Sequence, residues 1–544
     1  MTRGNDDNAI TRLEQLPTGF ELISHKGEFE VREEDRRSVA LLSVGKSLLF
    51  LWTGDQKAMP SRRGLEAKIA RAERSINKVM VAPSDLIQSL YNDRSLRRRE
   101  ITGGDSTDST KMVDDLLTTA HQRNVSDIHI LSNASGAEIV FRELGGLVHY
   151  KTIDAETMDR IGRTLHALGG DGKGTSFQPY DYQKFSVSRF LRNKKTEMLQ
   201  EVGVRVQTHQ SAPRGYDMVM RLLALGGDGK YVSLRDLGFA IPQDKAMELA
   251  VRRPIGSIVA CGPTGSGKTT ALKSLMDRWL QFTRGERKLI TIEDPVELII
   301  KGARQIPVGS EEGGYAEALK AVLRADPDAI GVGEIRDDAV AREFMHGVQT
   351  GHKVFTTVHA MDPVRAIERL IELGVARSEI AAGEFVNAIL HQRLVPVLCP
   401  SCSIPLELKD MDDPILVKDL ETDKLHKHVM AGRIKRLCPD ANNTCQHCEG
   451  RGRTGRTAIA EILIPDTEIL RLIQTGQSSV ANDYWRSGLA HGDPEMVGKT
   501  IYDHLFMKLI SGTVDPRDAA LVTGSLVAPF SQDEHKESYN RSAR

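Results

Sequence analysis

The sequence predicts an α/β protein whose largest domain is a parallel sheet wrapped by helices. Three observations lead there. From residue 233 onward, short apolar runs alternate with helical runs, the pattern of parallel strands joined by crossover helices. One apolar run, residues 255–260, leads into a glycine-rich turn and then a helical run at 270–282. Acidic residues follow the later apolar runs, and strand ends are where such sheets place ligands.

The chain has 544 residues, enough for roughly three or four domains. Its 40% hydrophobic and 27% charged residues are ordinary globular composition. Lys+Arg 73 against Asp+Glu 74 leaves a net charge of −1, without the basic excess expected of a protein that wraps nucleic acid. The first residues are polar and lack the apolar run of a secretory signal. The apolar stretch 39–52 is interrupted by Lys46 and too short to span a bilayer, so membrane contact is expected to be peripheral. It reads instead as two strands around a turn at 44–46.

Five segments are expected. Residues 1–91 form a small N-terminal domain with that hairpin and a basic helix at 64–80. Leu65, Ile69, Ala72, Ile76 and Val79 line its apolar face. Its basic side is a solvated face or a docking surface. Residues 92–110 are a polar linker. Residues 111–232 form a mixed α+β subdomain with a helix at 112–123 and strands at 127–130 and 138–142. The glycine patches 169–172 and 226–229 mark loops, the second a hinge. Residues 233–530 form the main domain, with an insert at 396–456, and 531–544 a disordered tail.

Gly262-Pro263-Thr264-Gly265-Ser266-Gly267-Lys268-Thr269 fits G-x-x-x-x-G-K-[ST] between a strand and a helix. Glycines let backbone N–H groups turn inward around phosphates. Lys268 supplies a charge for the β/γ-phosphates, and the Thr269 hydroxyl completes a Mg²⁺ shell. Thr270 opens the helical run that follows. The next cluster, Glu293-Asp294-Pro295-Val296-Glu297, ends an apolar strand with three carboxylates, which repel unless a cation or a proton-transfer role compensates. A third strand, 329–332, ends at Glu334. A carboxylate there holds Mg²⁺ or orients the attacking water. His359 follows a fourth strand and is placed to sense a γ-phosphate.

These four blocks, in this order, resemble the ATPases of type II secretion and type IV pilus assembly. The resemblance covers about residues 111–524. It implies a RecA-like P-loop ATPase core preceded by a PAS-like subdomain. It gives Glu297 the role of catalytic base and makes Glu334 the Walker B glutamate and His359 the His-box histidine. Asp294 and His352 also match family positions. Val125-Ser126-Asp127-Ile128-His129 and Val140-Phe141-Arg142 look like the family's subdomain signature. Arg205 and Arg221 match its phosphate-reaching arginines, a role that suits guanidinium forks. The family's Asp-Gly-Arg reads Asp181-Tyr182-Gln183-Lys184 here, leaving Lys184 or Arg189 to replace that arginine.

Four of six cysteines form two Cys-x-x-Cys pairs, Cys399/Cys402 and Cys445/Cys448. Four thiolates suit a closed, structural Zn²⁺ site, with a redox role as the alternative. Cys438 and His447 compete as ligands, and Cys261 reads as a small buried residue. The resemblance places such a tetracysteine insert in secretion and pilus-extension members. It implies a homohexamer that hydrolyses ATP with Mg²⁺ to drive protein transport. That motor sits in the cytoplasm, against an inner-membrane platform protein. The rival is a nucleic-acid-translocating motor of a conjugation system, which the neutral charge disfavours.

Overall fold

The computed structural model describes residues 20–92, 108–169, 177–224, 231–308, 314–438, 445–487 and 499–528, together with 10, 16 and 497, apart from breaks at 26, 45–46, 73, 134–135, 193–198 and 213–214. The linker up to residue 107, most of the glycine patch at 169–172, the hinge patch at 226–229 and the tail at 531–544 lie outside the described residues. Contacts divide the chain into two units, Met1–Gly226 and Gly227–Arg544.

The first unit holds two sheets. Strands β1 (Glu21–Leu22), β2 (Val39–Val44), β3 (Ser47–Trp52) and β4 (Lys78–Val81) lie in that order. The expected hairpin is β2 and β3, with Val39 opposite Trp52. The basic helix is shorter than expected, Met59–Arg71. Lys78–Val81 is a strand that pairs in parallel with β3, so Val79 belongs to a sheet, not to a helical face. The β-branched Val79 and Val81 suit that strand, and the Asn77 side chain just before it accepts from Leu48 N at 2.7 Å. Part of the basic face serves the domain itself: Arg62 pairs with Glu66 and lies over the Trp52 ring at 4.4 Å.

The second sheet contains β5 (Asp127–Asn133), β6 (Gly136–Glu143), β7 (Gly146–Ile153), β8 (Gln183–Arg192), β9 (Leu199–Gln210) and β10 (Tyr216–Ala224). Their order is β7-β6-β5-β10-β9-β8, antiparallel throughout. Helices Asp108–Gln122 and Ala155–Leu168 cover one face, burying Leu117, Ile161 and Leu165 against Ile128, Ile130 and Met218.

In the second unit, β11 (Gly256–Cys261), β12 (Leu289–Glu293), β13 (Arg304–Pro307), β14 (Ala329–Val332), β15 (Lys353–Val358) and β16 (Val386–Leu398) precede a two-stranded ribbon of β17 (Ile404–Pro405) and β18 (Lys435–Arg436), and β19 (Arg453–Leu463) closes the series. The main sheet runs β13-β12-β14-β15-β11-β16-β19, parallel except for β19. Alternate residues face two cores. Val259 and Cys261 face helices Gly314–Leu323, Asp338–Gln349 and Pro363–Glu372, while Ile258 and Ala260 face helices Ile241–Arg252 and Lys268–Phe282. This is the predicted doubly covered α/β core. Aspartates turn the chain from strand to helix. The carboxylates of Asp337, Asp362 and Asp466 accept from Val340 N, Arg365 N and Ile469 N at 2.9, 2.8 and 2.8 Å. Each satisfies an amide that the first helical turn leaves open. The insert begins later than expected, because β16 runs to Leu398, opposite Arg453 of β19.

Lys353 opens β15 with no exposed surface. Its Nζ donates to Ala250 O at 2.6 Å and to Asn387 Oδ1 at 2.5 Å. Burial, with Arg253 nearby, pushes its pKa down to about 7. A neutral amine has two N–H groups, and these two acceptors take both. In the unfolded chain the same amine is protonated below pH ~10.4. Folding therefore releases a proton between about pH 7 and pH 10, and stability rises with pH across that window. From pH 7 to pH 9 the wild-type protein is expected to gain about 2 kcal/mol more than Lys353→Met, at up to ~1.4 kcal/mol per pH unit. Urea unfolding at the two pH values measures this, and equal gains in both proteins would exclude the neutral amine.

Candidate active site

The phosphate-loop motif sits at the end of β11, where Cys261 is fully buried as expected and its thiol lies 3.7 Å from Asp362 O. Gly262 has φ +140°, and a Cβ there would meet Gln392 O at 2.6 Å. Gly267 has φ +86°, and a Cβ there would meet Gln392 Nε2 at 2.9 Å. Position 262 thus requires glycine on conformation and on space, and position 267 on conformation. Pro263, Thr264 and Gly265 form the exposed tip, while Ser266 is buried. Gln392, from β16, braces the loop by donating to Ser266 O at 2.6 Å. Lys268, Thr269 and Thr270 begin the helix Lys268–Phe282, so its N-terminal amides and positive dipole end point at the loop. Lys268 Nζ donates to Gly262 O at 2.8 Å and Pro263 O at 3.0 Å. Burial lowers its pKa, and the charges of Glu334 and Glu297 act against that.

Parallel register brings the other motifs to the same edge. Val358 pairs with Cys261, Val332 with Thr356, and Ile292 with Val332. His359, Glu334 and Asp294 then leave the sheet beside Gly262. Glu334 Oε1 lies 3.1 Å from His359 Nε2, and Oε2 accepts from Arg336 Nε at 2.8 Å. The backbone behind Glu334 is tied on both sides. Gly333 N donates to Ile292 O at 2.9 Å and Ile335 N to Thr357 O at 3.0 Å. The Tyr315 hydroxyl also donates to Ile292 O, at 2.5 Å. Glu293 is engaged inside the protein, accepting from Thr291 Oγ1 at 2.6 Å and Gln305 Nε2 at 2.9 Å. Glu297 is half-buried in the turn that follows. His352 lies at the other end of β15, where its Nδ1 is 3.0 Å from both Thr350 Oγ1 and Gly347 O. That contact belongs to a helix end and not to this edge.

Arg205 and Arg221 belong to the first unit and face each other across β9 and β10. The row continues through Asp127 to Arg142 on β6. Arg221 Nε donates to Asp127 Oδ1 at 2.8 Å, and Arg142 Nε lies 4.0 Å from Asp127 Oδ2. Two guanidinium groups thus contact one buried carboxylate, and Arg205 stands next to Arg221 in the same row. Arg189 is spent elsewhere, bidentate on Asp114 at 2.8 and 2.5 Å. Lys184 lies exposed on β8, two residues from Ser186, which pairs with Arg205. It therefore shares the face of the arginine row.

The Sγ atoms of Cys399, Cys402, Cys445 and Cys448 all lie within 4.8 Å of one another. Cys399 and Cys445 are 3.8 Å apart, Cys402 and Cys448 3.7 Å. A tetrahedron with Zn–S bonds of about 2.3 Å has sulfur–sulfur edges of about 3.8 Å. Among the described residues, neither Cys438 nor His447 joins the cluster.

Residues 104–489 match the family described as Type II/IV secretion system protein. The chain belongs to that family. The type IV pilus assembly ATPase PilB of Thermus thermophilus is 30% identical over 84% of this chain and 50% of its own length. The type II secretion system protein HxcR of Pseudomonas aeruginosa is 31% identical over 68% of this chain and 69% of its own. Type II secretion system protein E of the same organism matches over 51% of its length, so the chain spans about half of some curated relatives. Among solved structures, the Legionella pneumophila ATPase DotB superposes with a TM-score of 0.53 at 18% identity, over 77% of this chain and 97% of that one. That likeness supports the α/β RecA-like fold.

The secretion-family site fits a nucleotide on this chain's own geometry. Its loop excludes any Cβ at Gly262 and Gly267, its lysine is half-buried, and Ser266 Oγ is buried without a hydrogen-bond partner. The sequence reading missed Gln392 and Tyr315, which become meaningful only through contacts across the fold. It gave no role to Arg336, two residues from Glu334, nor to Arg142 within the Val140-Phe141-Arg142 signature.

The cysteine cluster generates a direct expectation. Protein purified without added metal should carry one zinc per chain by elemental analysis, and Cys445→Ser should carry none. Proteolysis of the variant should begin within residues 399–452 while the phosphate-loop region stays protected, because a structural zinc contributes folding energy locally. Metal-free wild-type protein, or a fully loaded variant, would refute the cluster.

Proposed function

We propose that this chain is a motor ATPase that hydrolyses ATP to ADP and phosphate to drive type IV pilus assembly or type II secretion. The observation that carries the reading is the shared edge of the sheet. There Lys268 and the charges of Glu297 and Glu334 act on one another, beside His359. Lys268 holds the β/γ-phosphates, together with the amides of residues 262–270. Thr269 and Glu334 would hold Mg²⁺, with Asp294 at the end of the neighbouring strand. When bound, Mg²⁺ neutralises charge that develops on the transferred phosphoryl group. Glu297 orients and deprotonates the attacking water. His359, already on Glu334, senses the γ-phosphate. Glu293 has no assigned role in that chemistry, and its Oε1 accepts two internal hydrogen bonds.

Arg205 and Arg221 complete the site in this reading, and the family resemblance alone supports that role. The motor works as a homohexamer, peripheral to the inner membrane on the cytoplasmic side, and pushes on a platform protein there. Among the described residues no helix is long and apolar enough to cross a membrane. The relatives' names, pilus assembly ATPase and type II secretion protein, support this reading over nucleic-acid translocation. Zinc on the four cysteines pins the insert. Residues 1–91, 92–110, 111–232 and 233–530 act as partner domain, linker, nucleotide-clamping subdomain and core.

Fluorescent-ATP titration with phosphate-release kinetics tests the roles. Lys268→Ala should lose tight binding and at least about 10²-fold in turnover. Glu297→Gln should keep binding within about threefold and lose turnover to a similar degree, since the phosphate cradle stays intact. Equal loss of binding in the two variants would overturn the assignment. Arg221→Ala should lose roughly 10³-fold in turnover if its guanidinium meets the transferred phosphoryl group. Unchanged turnover would return Arg221 to a partner of Asp127 only. Specific activity should also rise with protein concentration as rings assemble, and a flat dilution series would rule out a site shared between subunits.

A further inference from the structure

Arg336 is the one strong cation directly bonded to Glu334 among the described residues, and no motif singled it out. Its Nε donates to Glu334 Oε2 at 2.8 Å, and the charge of Asp294 also acts on it. Ile335, between Glu334 and Arg336, is buried, so the two polar side chains flank an anchored residue. The anchors are the Ile335 N–Thr357 O and Gly333 N–Ile292 O bonds. The Arg336 side chain is 61% exposed, against 20% for Glu334. It can leave for water without opening the core.

Four carboxylates, Glu293, Asp294, Glu297 and Glu334, lie on or just beyond two neighbouring strand ends. Such a cluster costs repulsion unless cations offset it. Lys268 offsets part, although its amine is turned onto two loop carbonyls. Arg336 offsets a further part, at the carboxylate that the functional reading gives to the divalent cation. A guanidinium and a divalent cation on one carboxylate repel each other, and a partly buried setting strengthens that repulsion.

We propose that Arg336 is a tethered counter-ion of the nucleotide-free site, which holds Glu334 in place and gives it up when Mg²⁺ enters with ATP. The proposal rests on the reading of Glu334 as a cation-site carboxylate. Arg336 is thus a positioning residue that sets how readily Mg²⁺ enters, and not one that touches the phosphates. Removing its charge frees Glu334 for the metal.

The test is equilibrium binding of mant-ATP by the full chain, in EDTA and across a Mg²⁺ series, with no turnover required. For Arg336→Gln the half-saturating Mg²⁺ should fall about fivefold, the size of an exposed ion pair, with EDTA affinity unchanged. Arg336→Lys should lie between the two. In a Glu334→Gln background, Arg336→Gln should no longer shift the midpoint, because the two residues act as a pair. An unchanged or raised midpoint in Arg336→Gln would overturn the proposal. So would a loss of EDTA affinity, which would make Arg336 a phosphate ligand. A Glu334→Gln protein with the wild-type Mg²⁺ midpoint would instead sink the underlying reading of Glu334. A lost Mg²⁺ effect in that variant, beside an unmoved Arg336→Gln, would leave that reading intact and remove the counter-ion alone.

Discussion

Everything at the candidate site depends on the parallel register of four strands. Ile292 against Val332, Val332 against Thr356 and Val358 against Cys261 set their ends level. Four separate motifs therefore leave the sheet along one edge. A slip of one residue would move each strand's apolar set to the other face. Both faces are buried, so such a slip would exchange the side chains that fill the two cores and leave neither correctly packed. The hydrophobic effect, acting on alternate residues such as Ile258 and Val259, thus holds the catalytic geometry. The polar residues inherit their positions.

Charge is arranged on top of that scaffold. The strand ends carry more carboxylates than water-exposed turns usually gather, and the structure divides their duties. Glu293 is bound internally by Thr291 and Gln305 and behaves as part of the β12–β13 connection. Glu334 is shared between His359 and Arg336. Glu297 is near enough for its charge to act on Lys268. Glu293, Glu297 and Glu334 therefore each have a counterpart before any ligand arrives. That allows a dense acidic edge to exist in a folded, ligand-free protein.

The parts legible in the sequence are those written in consecutive residues. The glycine-rich loop, its flanking strand and helix, and the strand 329–332 all appear where the pattern put them, because local sterics decide them. The cysteine pairs converge, because two knuckles of that spacing have few other stable arrangements. The basic helix was over-extended past Arg71, because residues 72–79 keep a helical hydrophobic spacing. Pairing with β3 overrides that spacing at Lys78–Val81. Gln392 and Tyr315 could not be read at all. Their sequence distance from what they support is large, 126 residues for Gln392 and Ser266. Nothing local marks a side chain as the brace of a distant loop. The arginine row shows the same limit. Arg205, Arg221 and the signature containing Arg142 were all singled out from family likeness, but that the three lie in one row follows only from the order β6-β5-β10-β9.

One strand joins the two specialised regions of the second unit. β16 carries Gln392, which braces Ser266, and ends one residue before Cys399. Seven residues of extended chain separate Gln392 from Cys399, roughly 23 Å. Over that span β16 pairs with β19, and Cys399 N donates to Gly452 O at 2.8 Å where the pairing ends. Arg453, at the start of β19, is bidentate on Asp518 at 2.7 Å through both nitrogens. A hairpin fixed at both edges resists bending far more than two free strands would. A displacement of the cysteine cluster must therefore either tilt that hairpin as a body or break its ladder. β16 thus joins the position that braces Ser266 to the strand end that carries Cys399 through one continuous ladder with β19, and its first half is paired on the other side with β11.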